Sequence, residues 1–269
     1  MPKKDTAIAA TPGQRGVAAV EVAAALLAVL RESRTPLLLA DIARASGLAP
    51  ARVHHYLVSL SRTGLVRKAG SPARYELGPF SVALGLTAVD RMEVQHFSAP
   101  FLHQLSSATH EASFFTVWSD PEPVIVRWEQ GLRPLTVFAR LGTVMPLLRS
   151  ATGDVYCAWG SEAMHMHKAV EQALLRIAPE QRARERAALQ ERVDRTLAAG
   201  CGITRGAMIS DVAAVSAPVF GEHGVLAGAI TALGLLRSFD ASRDGIVAQQ
   251  VRHAASELSR KLGYRAEAA

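Results

Sequence analysis

Apolar residues recur every three or four positions along most of this chain, and in a few shorter stretches they alternate or run together. Within VEVAAALLAVLRES (20–33), Val22, Leu26, Val29 and Leu30 share one helical face. Thr35-Pro36 interrupts that pattern, and Leu39, Ile42 and Ala43 begin a second helix. Val53, Leu57 and Leu60 then stand four and three apart, which predicts a third helix from Pro50 to about Thr63, stopped by Gly64. Its other positions are polar: Arg52, His54, His55, Tyr56, Ser59 and Arg62. Leu65–Val66 and Tyr75–Leu77 read as two paired strands with KAGSPA at the tip. Phe80 to about Arg91 reads as a linking helix, and residues 94–109 as another.

Farther on, the period changes. SFFTVW (113–118) and VIVRWE (124–129) flank SDPEP and predict a hairpin, with LTVFARLG (135–142) as a third strand. VSAPVFGEHG followed by VLAGAITALG reads as strand, turn, strand. Pro179 to Ala199 is expected to be helical, with Leu189, Val193 and Leu197 on one face and its many Arg and Glu residues solvated. Val247, Val251, Ala254 and Leu258 mark a last helix covering one side of the sheet. The expected architecture is α+β: a small helical module with a hairpin, then a sheet-and-helix domain able to form a pocket. With 269 residues, two domains are the better expectation than one.

The order within the first module matters. Ala43 is small, Gly47 follows four residues later, and Val53 comes six after that. A helix-turn-helix needs this series: close crossing, a turn with φ > 0, and a branched anchor under the first helix. Pro50 suits the first turn of the second helix. That helix would enter the major groove with Ala51, Arg52, His55, Ser59 and Arg62 outward, while Arg67, Lys68 and Arg74 on the wing meet the DNA backbone.

Charge sharpens this picture. Residues 1–77 hold 11 Lys/Arg against 5 Asp/Glu, whereas residues 78–269 hold 19 of each, so the whole net charge of +6 lies in the first module. A polyanion partner is implied for that module alone. Cys157 and Cys201 are too few and too far apart for a disulfide framework or a metal site, which fits a reducing, cytoplasmic setting. The most apolar run, residues 18–30, is short and contains Glu21, so no membrane helix is expected. MPKKDTAIAATPGQRG lacks the apolar core of a secretory signal and reads as a mobile basic arm over 1–15. His165 and His167 stand two apart, on different helical faces, and Cys157 has no histidine paired with it in sequence. With no phosphate loop, nucleophile elbow or zinc pattern, the sequence predicts no cofactor, no metal, no catalytic residue and no enzyme activity.

Across residues 16–85 the segments PLLLADIARASGL, VHHYLVSLSRTGLV and YELG resemble the winged-helix domain of the IclR family of bacterial transcription regulators. LGTVMPLLRSATGDVYCAW (141–159) and ITRGAMISDVAAVSAPVFGEHGVLAGAITALG (203–234) are similar to the two motifs of that family's GAF-like effector-binding domain. There are departures: Leu38 where a capping Ser/Thr is usual, His55 for Arg, Asp154 for Lys, Ala207 for Glu and Asp211 for Gly. The resemblance implies a winged helix-turn-helix over 16–78, a linker helix over 79–93 and an effector-binding domain over 94–269. It implies a one-component regulator that binds a double-stranded DNA operator and responds to a small organic acid, aromatic ones included. By position it carries the effector contacts onto Ala151, Thr152, Thr204, Ala214, Thr231 and Leu233, with Arg149 as a further candidate for a carboxylate. The backbone N–H groups at the start of the helix after SATG would hold the anionic end. The family also implies a homodimer, paired into a tetramer in many members, and the apolar positions Leu26, Leu30, Val82 and Leu86 exceed what one small domain needs to cover. Two readings stand beside this one: an enzyme or redox sensor with an accessory winged helix, and an interaction module without DNA contact.

Overall fold

The computed structural model describes residues 16–70, 73–133 and 139–265. The basic arm and the wing-tip residues Ser71 and Pro72 lie outside them. Contacts divide the chain into two compact units, Met1–Arg91 and Met92–Ala269.

The first unit contains α1 (Ala18–Glu32), β1 (Leu37–Leu38), α2 (Leu39–Ser46), α3 (Pro50–Arg62), β2 (Val66–Ala69), β3 (Arg74–Leu77) and α4 (Pro79–Asp90). Leu26, Leu30, Ile42, Ala43, Val53, Leu57 and Leu60 form one core with Val66 and Tyr75. The turn between α2 and α3 rests on Gly47 at φ +69°, a left-handed conformation that glycine adopts freely. A methyl group there would meet nothing within 4 Å, so conformation rather than space selects the residue. Leu38 precedes α2 without a side-chain cap, as its apolar side chain dictates. Leu37–Leu38 adds a strand that the sequence pattern did not reveal; it pairs with Tyr75 and Arg74, giving a three-stranded antiparallel wing in the order β1-β3-β2.

The second unit contains α5 (Glu93–Thr109), β4 (Ala112–Trp118), β5 (Pro123–Glu129), α6 (Ala151–Trp159), a short 3-10 turn, α7 (Met166–Leu175), α8 (Pro179–Ala199), β6 (Gly202–Arg205), β7 (Val212–Phe220), β8 (Leu226–Leu235) and α9 (Ile246–Lys261). The five strands form one antiparallel sheet in the order β5-β4-β8-β7-β6. Strand alternation gives its faces different tasks. Phe115, Val215, Ala217, Ile230 and Ala232 pack with Val247, Val251 and Leu258 of α9 and with Leu102 and Leu105 of α5. The alternate residues Phe114, Ala214 and Leu233 point the other way. Three expectations need correction. The predicted strand over 135–142 falls partly outside the described residues, and its remainder, 139–142, is loop and turn. On α8, Leu189 is buried but Leu197 is 47% exposed, because the inward face continues through Thr196, which is buried, and Leu197 lies one position beyond it. The basic side of that helix is not all solvated either: Arg182 donates to the carbonyls of Ile177 and Leu175.

Candidate functional site

In the first unit the inward positions of α3, Val53, Leu57 and Leu60, are buried. This turns Ala51, Arg52, His55, Ser59 and Arg62 to solvent on the opposite side, and all five are exposed. The Arg52 guanidinium lies 5.9 Å from the centre of the Tyr56 ring, and Ser59 Oγ donates to the His55 carbonyl at 3.3 Å. On the wing Arg67, Lys68 and Arg74 are exposed too, but they are not equivalent. Arg67 Nε pairs with Glu76 Oε1 at 2.8 Å, and Arg74 donates to the Pro36 carbonyl at 3.3 Å. Lys68 sits over the Tyr75 ring at 5.9 Å and has no acidic partner among the described residues. The surface is thus a helix face and the β2–β3 hairpin with several cations, suited to contact with a phosphate-rich partner.

The second unit holds a cavity against the sheet face opposite α9. Ala151, Thr152, Thr204, Ala214, Thr231 and Leu233 all line it. Four segments far apart in sequence meet there: the start of α6, β6, β7 and β8. Residues that sequence reasoning missed complete the wall. Phe114 and Met145 close one side, and Met208 and Ile209 from the turn after β6 close another. Only Phe114 carried a sequence signal, since it alternates with Phe115 along a strand. Arg149, whose direction the sequence left open, is exposed and lines the cavity. Trp118 and Trp128 do not: Trp128 stacks on the Phe114 ring at 5.9 Å, and Trp118 packs on Tyr156. The interior space is about 40 Å³. A cavity of about 150 Å³ accepts benzene, so an aromatic guest requires wall residues to move. Met208 and Arg149, both exposed and long, are suited to that.

Helix α6 begins one residue into the SATG motif rather than after it. Ser150 caps it: its Oγ accepts from Gly153 N–H at 2.9 Å and donates to the Pro146 carbonyl at 2.7 Å. Asp154 N–H donates to the Ser150 carbonyl. The N–H groups of Ala151 and Thr152 have no partner among the described residues, so the first turn keeps two donors for a guest. The helix reaches this place because two glycines allow it. A methyl group on Gly153 would lie 2.3 Å from the Leu147 carbonyl oxygen, and one on Gly202 would lie 2.4 Å from that of Ala151. Within the cavity wall, Thr152 Oγ1 and Thr231 Oγ1 stand 2.9 Å apart, and Thr231 donates to Ser216 Oγ at 2.9 Å. Each hydroxyl has one proton, so in this chain Thr152 donates to Thr231 and keeps only acceptor capacity for a guest.

Asp154, two residues beyond Thr152, points away from the cavity. Its side chain is 2% exposed, with Oδ1 3.1 Å from Arg192 Nε. Burial pushes its carboxyl up to about 6, against the pull of Arg192. Arg192 also donates to the Leu148 carbonyl and to Glu185. The Cys157 thiol is pushed up to about 12 by burial, with Asp154 adding to the effect, which keeps it protonated at neutral pH and unsuited to nucleophilic or redox work. Among the described residues no cluster of three or more His, Cys, Asp or Glu could hold a metal ion. No described helix is long and apolar enough to cross a membrane.

Comparison with known proteins fits both units. The C-terminal model of the bacterial transcriptional regulator IclR matches residues 86–260, and the IclR helix-turn-helix model matches residues 19–70. This chain belongs to the IclR family. It is 28% identical to the glycerol operon regulatory protein of Streptomyces griseus over 93% of this chain and 98% of that protein. It is 30% identical to Pseudomonas aeruginosa HmgR, whose crystal structure superposes with a TM-score of 0.57 over 92% of this chain and 99% of that one. An IclR homologue from Microbacterium hydrocarbonoxydans, crystallised with 4-hydroxybenzoate, shares the fold at 18% identity, with a TM-score of 0.69 over 91% of this chain and 98% of that one. The curated relatives are transcriptional regulators, and so is this IclR-family chain: a helix-turn-helix regulator that binds DNA, not an enzyme.

Proposed function

We propose that the regulator reads its operator with α3 and that a small aromatic carboxylic acid, bound in the cavity of the second unit, sets its DNA affinity. In this reading Arg52, His55, Ser59 and Arg62 face base edges, with Ala51 against a thymine methyl or the sugar-phosphate backbone. Lys68 supplies the main wing charge toward phosphates, and Arg67 and Arg74 contribute less because Glu76 and the Pro36 carbonyl already engage them. The acid places its carboxylate at the Ala151 and Thr152 N–H groups with Arg149 beside it, its ring against Phe114, Met145 and Leu233, and any hydroxyl on Thr152 or Thr204. The observation that carries this is the junction of two unpaired helix-start amides and an exposed arginine with a cavity whose remaining wall is mostly apolar, the chemistry of a carboxylate attached to a ring. The 4-hydroxybenzoate complex of the Microbacterium relative supports the same class of ligand.

The active species in this proposal is a cytoplasmic homodimer, able to pair into a tetramer. Helix α4 buries none of its twelve residues, although Phe80, Val82, Leu84 and Leu86 are 47–66% exposed. Leu26 and Leu30 do not contribute, because both are buried in the first unit's own core; the exposed large apolar residues there are Val17, just before α1, and Val20 within it. Two copies would present two recognition helices to two half-sites. The test is a panel of benzoate derivatives and aliphatic acids in thermal-shift assays on the full chain, with operator binding measured for each hit. The reading expects aromatic acids to raise the midpoint and to change operator affinity; stabilisation by none of them would overturn it.

A further inference from the structure

A second cleft lies behind the first. It is walled by the C-terminal turns of α8, the outer edge of β6 and the loop before α9, and it encloses about 510 Å³. Arg192, Arg195, Arg205 and Arg243 line it, and Asp154 is the sole acid in its lining. Asp154 is bound to Arg192 and also lies within the field of Arg195, so one carboxylate faces four guanidinium groups, three of them outside its ion pair.

These arginines are held by carbonyls rather than by acids. Arg195 Nε donates to the Glu191 carbonyl at 3.2 Å, Arg205 donates to the Ala241 carbonyl at 3.0 Å, and Arg243 donates to the Ala198 carbonyl. Arg252 braces the loop, donating to the carbonyls of Arg243 and Ala199 and to Cys201 Sγ at 3.3 Å. No salt bridge reaches Arg195, Arg205 or Arg243 among the described residues. Asp240 lies within the field of Arg205, but its oxygens already accept from Ser242 and the Ile246 N–H. A guanidinium has five N–H donors, and each of these three shows one in use. The charge is local as well: residues 78–269 carry 19 cations and 19 anions in total. Three like charges fixed about one cleft repel one another unless an anion lies between them.

We infer that this cleft binds a small polyanion, a molecule with several clustered anionic oxygens such as a polyphosphate or polycarboxylate. The site is separate from the aromatic-acid cavity and does not rest on that assignment. The two share walls, however. On α6, Thr152 faces the cavity and Asp154 the cleft; on β6, Thr204 faces the cavity while Ile203 and Arg205 face the cleft. Calorimetry on the full chain at constant ionic strength, with pyrophosphate and citrate as probes, tests the inference. At least one should bind saturably. Arg195→Gln and Arg243→Gln should each weaken it by about tenfold, the worth of one charge-assisted contact, while Thr231→Val leaves it unchanged. Pyrophosphate alone would identify phosphate chemistry, citrate alone carboxylate chemistry, and both the shared class. Absence of saturable binding by either, or binding that survives the Arg195→Gln/Arg243→Gln double variant with the fold intact by circular dichroism, would overturn it.

Discussion

The two units place their chemistry in opposite ways. In Met1–Arg91 the candidate groups lie on the outside, on one helix face and the β2–β3 hairpin, within 24 residues of sequence from Ala51 to Arg74. In Met92–Ala269 they lie inside, brought together from Phe114 to Leu233. An outward face needs only a helix of the right period, whereas an interior site needs the whole sheet. The first unit carries the excess charge, which suits it to electrostatic contact with DNA. The second is neutral, and in the proposed reading it recognises its ligand by shape, with a few polar groups.

The contrast predicts different failures. Leu57→Ala, in the core that fixes the recognition helix, should destabilise the first unit by about 2–5 kcal/mol. Denaturant unfolding followed by ligand titration should show operator binding lost while binding to the second unit persists; loss of both would break the division. A pH series probes the second unit. Asp154 has a folded value of about 6 against an ordinary 3.8, so its contribution is fully present below about pH 4 and is lost as pH rises through about 6. The stability difference between wild type and Asp154→Asn should shift over that window by on the order of 3 kcal/mol. A flat difference would mean that Arg192 offsets the burial.

Arg52→Ala should weaken specific operator binding by roughly 1–3 kcal/mol and leave ligand affinity alone. Fluorescence anisotropy with operator and scrambled duplexes would separate a base contact, which affects only the operator, from a phosphate contact, which affects both. The smallest effect belongs to the wing. Lys68→Ala should lower the salt slope of DNA binding by about one unit, and Arg67→Ala by less, because Glu76 already holds Arg67. Equal slopes for the two variants would show that the Arg67–Glu76 pair opens on DNA.

Much of this was legible in the chain itself. The spacing of Val53, Leu57 and Leu60 fixes which face of α3 is free, and Pro50 and Gly47 mark its start and the turn before it. The bounds of α8 follow from Pro179 and Gly200. The six cavity residues came from motif resemblance, and no local pattern would have found them, since Thr152 and Thr231 meet across 79 residues. Strand β1 was missed because two residues are too few to show alternation. The start of α6 was misplaced because Ser150 reads as part of a loop until its Oγ is seen capping Gly153. Arg192 was read as solvated because its partner, Asp154, is 38 positions away.

The central claim is that an acid in the interior cavity controls the exterior face, and reciprocal titration tests it most directly. Operator affinity is measured with and without saturating aromatic acid, and acid affinity with and without operator, for wild type, Thr231→Val and the cavity-filling Ala214→Phe. The account predicts a shift of about 5–150-fold, equal in both directions. It also predicts weakened acid binding in Thr231→Val, which leaves Thr152 and Ser216 without their shared partner, and no binding in Ala214→Phe. Acid binding that leaves operator affinity unchanged in the wild type, or an undiminished shift in Ala214→Phe, would contradict it.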